Sequence, residues 1–137
     1  LELYYKPNNL FVAGFIGSPA MNFLPAQVKK GGALALSDGQ ELKATLPSSC
    51  KTGDTVTLGF RPEHMTLGGR GKFGLTGIID IIERLGESGF AHVRLPSGHT
   101  VVAEVRGDPR TSAGQSAKLT FDGNNLHIFN AEGQRLD

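Results

Sequence analysis

A chain of 137 residues with 14 Lys and Arg against 13 Asp and Glu carries a formal net charge of +1, too small a surplus to hold a polyanion by counterion release. That length supplies one domain's core, burying about two thirds of the unfolded surface, and the single cysteine, Cys50, excludes an internal disulfide and a C-x-x-C metal or redox site, as fits a reducing cytoplasm. The longest apolar run, near residues 10–16, falls far short of the ~20 residues that span a bilayer, and no basic segment with an apolar follow-on reads as a secretory signal.

In chain order, residues 7–16 read as the one short helix. Pro7 suits a first turn, Phe11 and Phe15 are i,i+4 neighbours, and Gly17 with Pro19 stops the run. Strands follow over 22–29, 33–37, 41–46, 55–61, 75–85, 90–95, 100–105, 116–121 and 126–130. Between them stand KKGG, SDGQ, KTGD, GESG, PSGH and DGNN, whose residues favour tight turns. Residues 90–95 and 100–105 alternate apolar and polar side chains and predict a hairpin about Pro96 to His99. Many short strands without a helical crossover rhythm, with Gly at 19 positions for bends, predict an all-β chain, an OB-like Greek-key barrel. The glycine-rich stretch 68–74 is a candidate hinge between two small subdomains.

Enzymatic motifs are not supported. Gly69, Gly71 and Gly74 match G-x-G-x-x-G, but the following LTGIIDII is strand-like, whereas a dinucleotide site needs a helix N-terminus there. Gly71-Lys72 is followed by Phe73, so the hydroxyl that a Walker A loop supplies to Mg²⁺ is missing. His64, His92, His99 and His127 show no zinc-ligand spacing, and Ser48, Ser49 and Ser112 sit in turn-like segments without a nucleophile elbow. Cys50, in the polar turn PSSCKTGD, reads as inert. No catalytic, cofactor or metal residue is assigned.

Four residues remain as interface candidates. Arg61, Glu63 and His64 close the strand 55–61, with Pro62 ending its ladder; they read either as a local structural knot or as an interface. Asp80, in IIDII, is expected on the strand face of Ile78 and Ile82, where its charge needs a partner; an edge position or an ion pair with an arginine is the plain reading and a ligand contact the other.

The segment LYYKPNNLFVAGFIGSPAMNF, residues 3–23, resembles the junction where the ATPase domain of bacterial sugar-import ABC transporters passes into its C-terminal accessory domain, LY-x-x-P-x-x-x-FVA-x-FIG-SP-x-MNF. Gly59, Arg61, Pro62, Glu63 and His64 match the family's G-x-RPEH strand end, and Phe121, Asp122, Gly133 and Leu136 loosely match its C-terminal pattern. The resemblance implies an OB-like module of the TOBE type over residues 21–137, with 1–20 as the tail of a nucleotide-binding domain and a linker helix. It implies that ATP and Mg²⁺ belong to that other domain, and that the chain, which opens at Leu1, is part of a longer polypeptide. Further implications are pairing with a second copy, contact with its own nucleotide-binding domain near Arg61 to His64, permease subunits reached through that domain, and a regulatory protein in some members. The location implied is the cytoplasmic face of the inner membrane. The same module type in other importers takes oxyanions or similar solutes, so a small-solute sensor is the alternative. A single-strand nucleic-acid binder would need stacking aromatics in a basic groove, and Tyr4 and Tyr5 are the only tyrosines, with no Trp.

Overall fold

Period-two alternation builds β1 (Asn22–Val28), in which Asn22, Leu24, Ala26 and Val28 are buried while Pro25 and Gln27 face water. This computed structural model describes residues 9, 20–68, 73–106, 112–121 and 125–136. β1 pairs antiparallel with β4 (Thr55–Phe60) from Asn22 opposite Phe60 to Gln27 opposite Thr55. On its other side β2 (Ala33–Ala35) reaches only Gln27 and Val28, so the N–H that Pro25 lacks faces no strand. β3 (Glu41–Lys43), β10 (His127–Phe129) and β11 (Arg135–Leu136) complete a six-stranded sheet in the order β11-β10-β4-β1-β2-β3.

The second sheet holds β5 (Met65–Leu67), β6 (Phe73–Leu85), β7 (Ser88–Arg94), β8 (Thr100–Arg106) and β9 (Ser116–Phe121), in the order β5-β9-β6-β7-β8. The expected hairpin forms between β7 and β8. Leu95 N–H donates to His99 O at 2.8 Å, and Gly98 takes the positive φ of 91° that its turn requires. The sheet's two edges, β5 and β8, curl towards each other, giving a nearly closed barrel.

The all-β expectation holds. Leu34, Leu58 and Phe60 from the first sheet and Leu75, Val93, Val101 and Leu119 from the second belong to one apolar cluster, each shielded from solvent. The chain changes sheets between β4 and β5, at the 3-10 turn Pro62–His64. The helix expected over 7–16 lies outside the described residues apart from Asn9, which bridges antiparallel to Gln134; of the glycine stretch, 69–72 also lie outside.

Candidate functional site

Pro62 fixes the first position of the 3-10 turn, whose backbone closes through His64 N–H to Arg61 O at 3.0 Å and Met65 N–H to Pro62 O. This turn projects Glu63 outward and turns Arg61 inward, where only 1% of its surface is exposed. β10 runs beside β4 with His127 opposite Gly59, which brings His127 to the same corner, and β11 adds Arg135. The result is a cationic corner. Burial first, then the charges of Arg135, Arg61 and His64, push the His127 imidazole down to about 4, so it is neutral at physiological pH. His64 Nδ1 is buried there without a hydrogen-bond partner among the described residues. His64 thus lies near enough to His127 to act on its charge, which sequence spacing hides, and among the described residues no three His, Cys, Asp or Glu side chains cluster as a metal site would need.

Asp80 stands elsewhere, on β6, two strands from β8, against which the Pro62–His64 turn packs. It sits at a β-bulge: the register with β7 shifts between Ile79, opposite Val93, and Ile81, opposite His92. The bulge resets the alternation, so Ile79 and Ile82 contribute to the core while Ile78 and Ile81 face water. The expectation that Asp80 shares a face with both Ile78 and Ile82 is therefore corrected, since one inserted residue separates their faces. Its carboxylate lies 3.2 Å from Arg94 Nε, an ion pair on an interior strand of the sheet.

Between β5 and β8 lies an open groove of about 380 Å³, with Glu63, Met65 and Leu67 on one side and Glu104, Val105 and Arg106 on the other. Glu104 and Arg106 neutralise each other at 2.9 Å. A shallower depression of about 470 Å³ lies where β6 outruns β7, around Thr76, Ile78, Pro96 and Lys118. Burial, then the Asp54 carboxylate, raises the pKa of the Cys50 thiol, which keeps it protonated.

Sequence reasoning missed two side chains that join the sheets. Asn22, the asparagine of MNF, donates from Nδ2 to Val102 O at 2.9 Å and accepts Val102 N–H at 2.8 Å, so its amide acts as a strand on the open edge of β8. Gln40 does the same at Thr76 of β6, accepting Thr76 N–H at 2.8 Å and donating to Thr76 O at 3.1 Å, while Asp38 holds its Nε2 at 3.0 Å. Thr76 lies before Ile78, where the recorded pairing with β7 begins, so the amide takes bonds that β7 does not reach. An Asn in an otherwise apolar strand face was the available signal for the first; the half-buried Gln40, in a polar turn, gave none.

Comparison with known proteins agrees with this architecture. Residues 17–65 match the MalK OB fold domain and residues 58–129 match the TOBE domain. The chain is 36% identical over 139 residues to the alpha-glucoside transport ATP-binding protein AglK of Rhizobium meliloti (strain 1021), covering 98% of this chain and 38% of the relative. It is 37% identical over 150 residues to the lactose transport ATP-binding protein LacK of Rhizobium radiobacter, covering 99% and 40%. It is 39% identical over 138 residues to the sn-glycerol-3-phosphate import ATP-binding protein UgpC of Escherichia coli (strain K12), covering 99% and 38%. The chain thus spans about two fifths of the length of these relatives. Among solved structures, the cytoplasmic molybdate-binding protein ModG superposes with a TM-score of 0.68 at 19% identity, over 78% of this chain and 94% of that one, a likeness of fold.

Proposed function

The chain belongs to the TOBE domain family, and we propose that it is the C-terminal regulatory and assembly domain of the ATP-binding subunit of an ABC sugar importer. One observation carries this reading. Nearly the whole chain aligns with three transport ATP-binding proteins while filling only 38–40% of each. A chain without a Walker A loop cannot hold their nucleotide, so ATP and Mg²⁺ fall to the other three fifths.

In this reading the barrel pairs with a second copy and keeps two ATP-binding subunits together as they open and close. A lasting contact makes each reclosure intramolecular, at high effective concentration. Contact with the nucleotide-binding domain near Glu63 and His64, permease subunits reached through that domain, and a regulatory protein on the barrel complete the partners. Among the described residues no helix is long and apolar enough to cross a membrane, and the domain works at the cytoplasmic face through its partners. The solute-sensor alternative fits less well, because Arg94 and Arg106 are committed to Asp80 and Glu104 and Arg61 is buried.

Co-expression of a tagged and an untagged copy tests the assembly reading. The untagged copy should be retained on the tag in near-equal amount, without nucleotide. Recovery of the tagged copy alone would contradict it.

A further inference from the structure

The groove of about 380 Å³ separates two strand edges, β5 and β8, and neither edge has a partner strand among the described residues. Antiparallel pairing decides which backbone groups turn towards that gap, because hydrogen-bonded and non-hydrogen-bonded pairs alternate along a ladder. Leu95 N–H donates to His99 O, so the bonded pairs of the β7–β8 ladder fall on Val101, Ala103 and Val105. The N–H and C=O groups of Val102, Glu104 and Arg106 therefore point away from β7. On β5, Gly68 N–H donates to Lys118 O, which by the same alternation turns the backbone of Leu67 away from β9.

Asn22 shows what the β8 edge accepts. Its side-chain amide donates to Val102 O and accepts Val102 N–H, the two bonds that a neighbouring strand would make. One amide serves one residue, and the next two outward-turned positions, Glu104 and Arg106, border the groove. Their side chains neutralise each other at 2.9 Å, so charge selects no ligand here. The backbone does: N–H and C=O groups at strand spacing are met in register by another extended backbone. β5 forms the opposite wall, which keeps out the edge of a folded sheet and admits a single chain. Alternation also sets the side-chain preference, since Val105 and Leu67 are half-buried and pack on the core beside Met65. We propose that the β8 edge beyond Val102 is a docking site for an extended peptide segment of a partner protein, which adds a strand at Glu104 and Arg106 and turns every second, apolar side chain towards Val105 and Leu67. Such a site is independent of the assembly reading.

Short peptides selected from a phage-displayed random library on the immobilised chain serve as the probe, with binding read by fluorescence anisotropy and by amide exchange. A bound peptide should slow exchange at Glu104 and Arg106. N-methylation at alternate peptide positions should weaken binding about tenfold, the worth of one lost hydrogen bond, and at the positions between should leave it unchanged. In the chain, Glu104→Pro removes the donating N–H on an edge that tolerates proline, and should weaken binding by about tenfold or more. Glu104→Gln keeps that N–H while losing the ion pair with Arg106, and should bind as the parent does. Far-UV circular dichroism checks that both variants are folded; if Glu104→Pro is not, the N-methylated series decides alone. A library that yields no binder, a peptide that leaves exchange at Glu104 and Arg106 unchanged, or binding that falls equally wherever the peptide is N-methylated would overturn the proposal.

Discussion

Asn22 and Val102, eighty positions apart in sequence, exchange the two hydrogen bonds that two strands would otherwise share, at 2.9 and 2.8 Å, through one side-chain amide. Because Asn22 is 93% buried and Val102 lies on the edge strand β8, this amide ties the first sheet to the second. Truncation to Asn22→Ala leaves a backbone N–H and C=O unsatisfied, and stability should fall by about 1–3 kcal/mol, read as a lower urea midpoint at unchanged slope. Asn22→Asp should be worse, since a carboxylate facing the Val102 carbonyl repels it. Amide exchange at Val102 should accelerate in both variants.

Gly77 and Gly89 mark close backbone approaches. A Cβ at Gly77 would lie 2.6 Å from Arg94 O and 2.8 Å from Val93 Cγ1, and one at Gly89 would meet the Glu83 carbonyl across the twisted β6–β7 hairpin. Each Gly→Ala change should destabilise by about 1–3 kcal/mol through overpacking, measured by thermal unfolding. Gly86→Ala, with open space around its Cβ but a φ of 72°, separates conformational strain from crowding.

These positions also show what the sequence makes legible. Turn residues and period-two alternation locate nine strands and the hairpin at 96–99, because both are local signals. β5 escapes notice because its three residues follow the Pro62–His64 turn without alternation of their own. The bulge at Asp80 escapes because IIDII reads equally well in either phase; pairing with β7 decides which isoleucines turn inward. At the candidate site, RPEH marks the corner, but the burial of Arg61 beside His127 and Arg135 depends on β10 and β11 returning to β4 from the far end of the chain. The amides of Asn22 and Gln40 depend likewise on tertiary contact.

His127 gives the fold a pH dependence of definite sign. Its imidazole titrates near 6.5 when unfolded and about 4 when folded, so between these values the unfolded chain binds more protons. Stability should therefore be full above pH 6.5 and decline as pH falls towards 4. His127→Gln, which cannot charge, should flatten this part of the pH–stability curve. An equal slope in parent and variant would assign the dependence to other groups.

Solutes should leave the barrel indifferent. A site filled at 100 times its dissociation constant would add about 2.7 kcal/mol to stability. Thermal unfolding in the presence of sugars, sn-glycerol-3-phosphate, molybdate, sulfate or phosphate is expected to show no specific shift. A saturable shift with one of them would revive the sensor reading.

The most direct measurement is sedimentation equilibrium of the parent chain across a concentration series from micromolar to millimolar. A reversible monomer–dimer equilibrium is expected, unaffected by nucleotide, as suits an assembly module whose ATP site lies elsewhere. A mass that stays at 14.6 kDa throughout the series would contradict it.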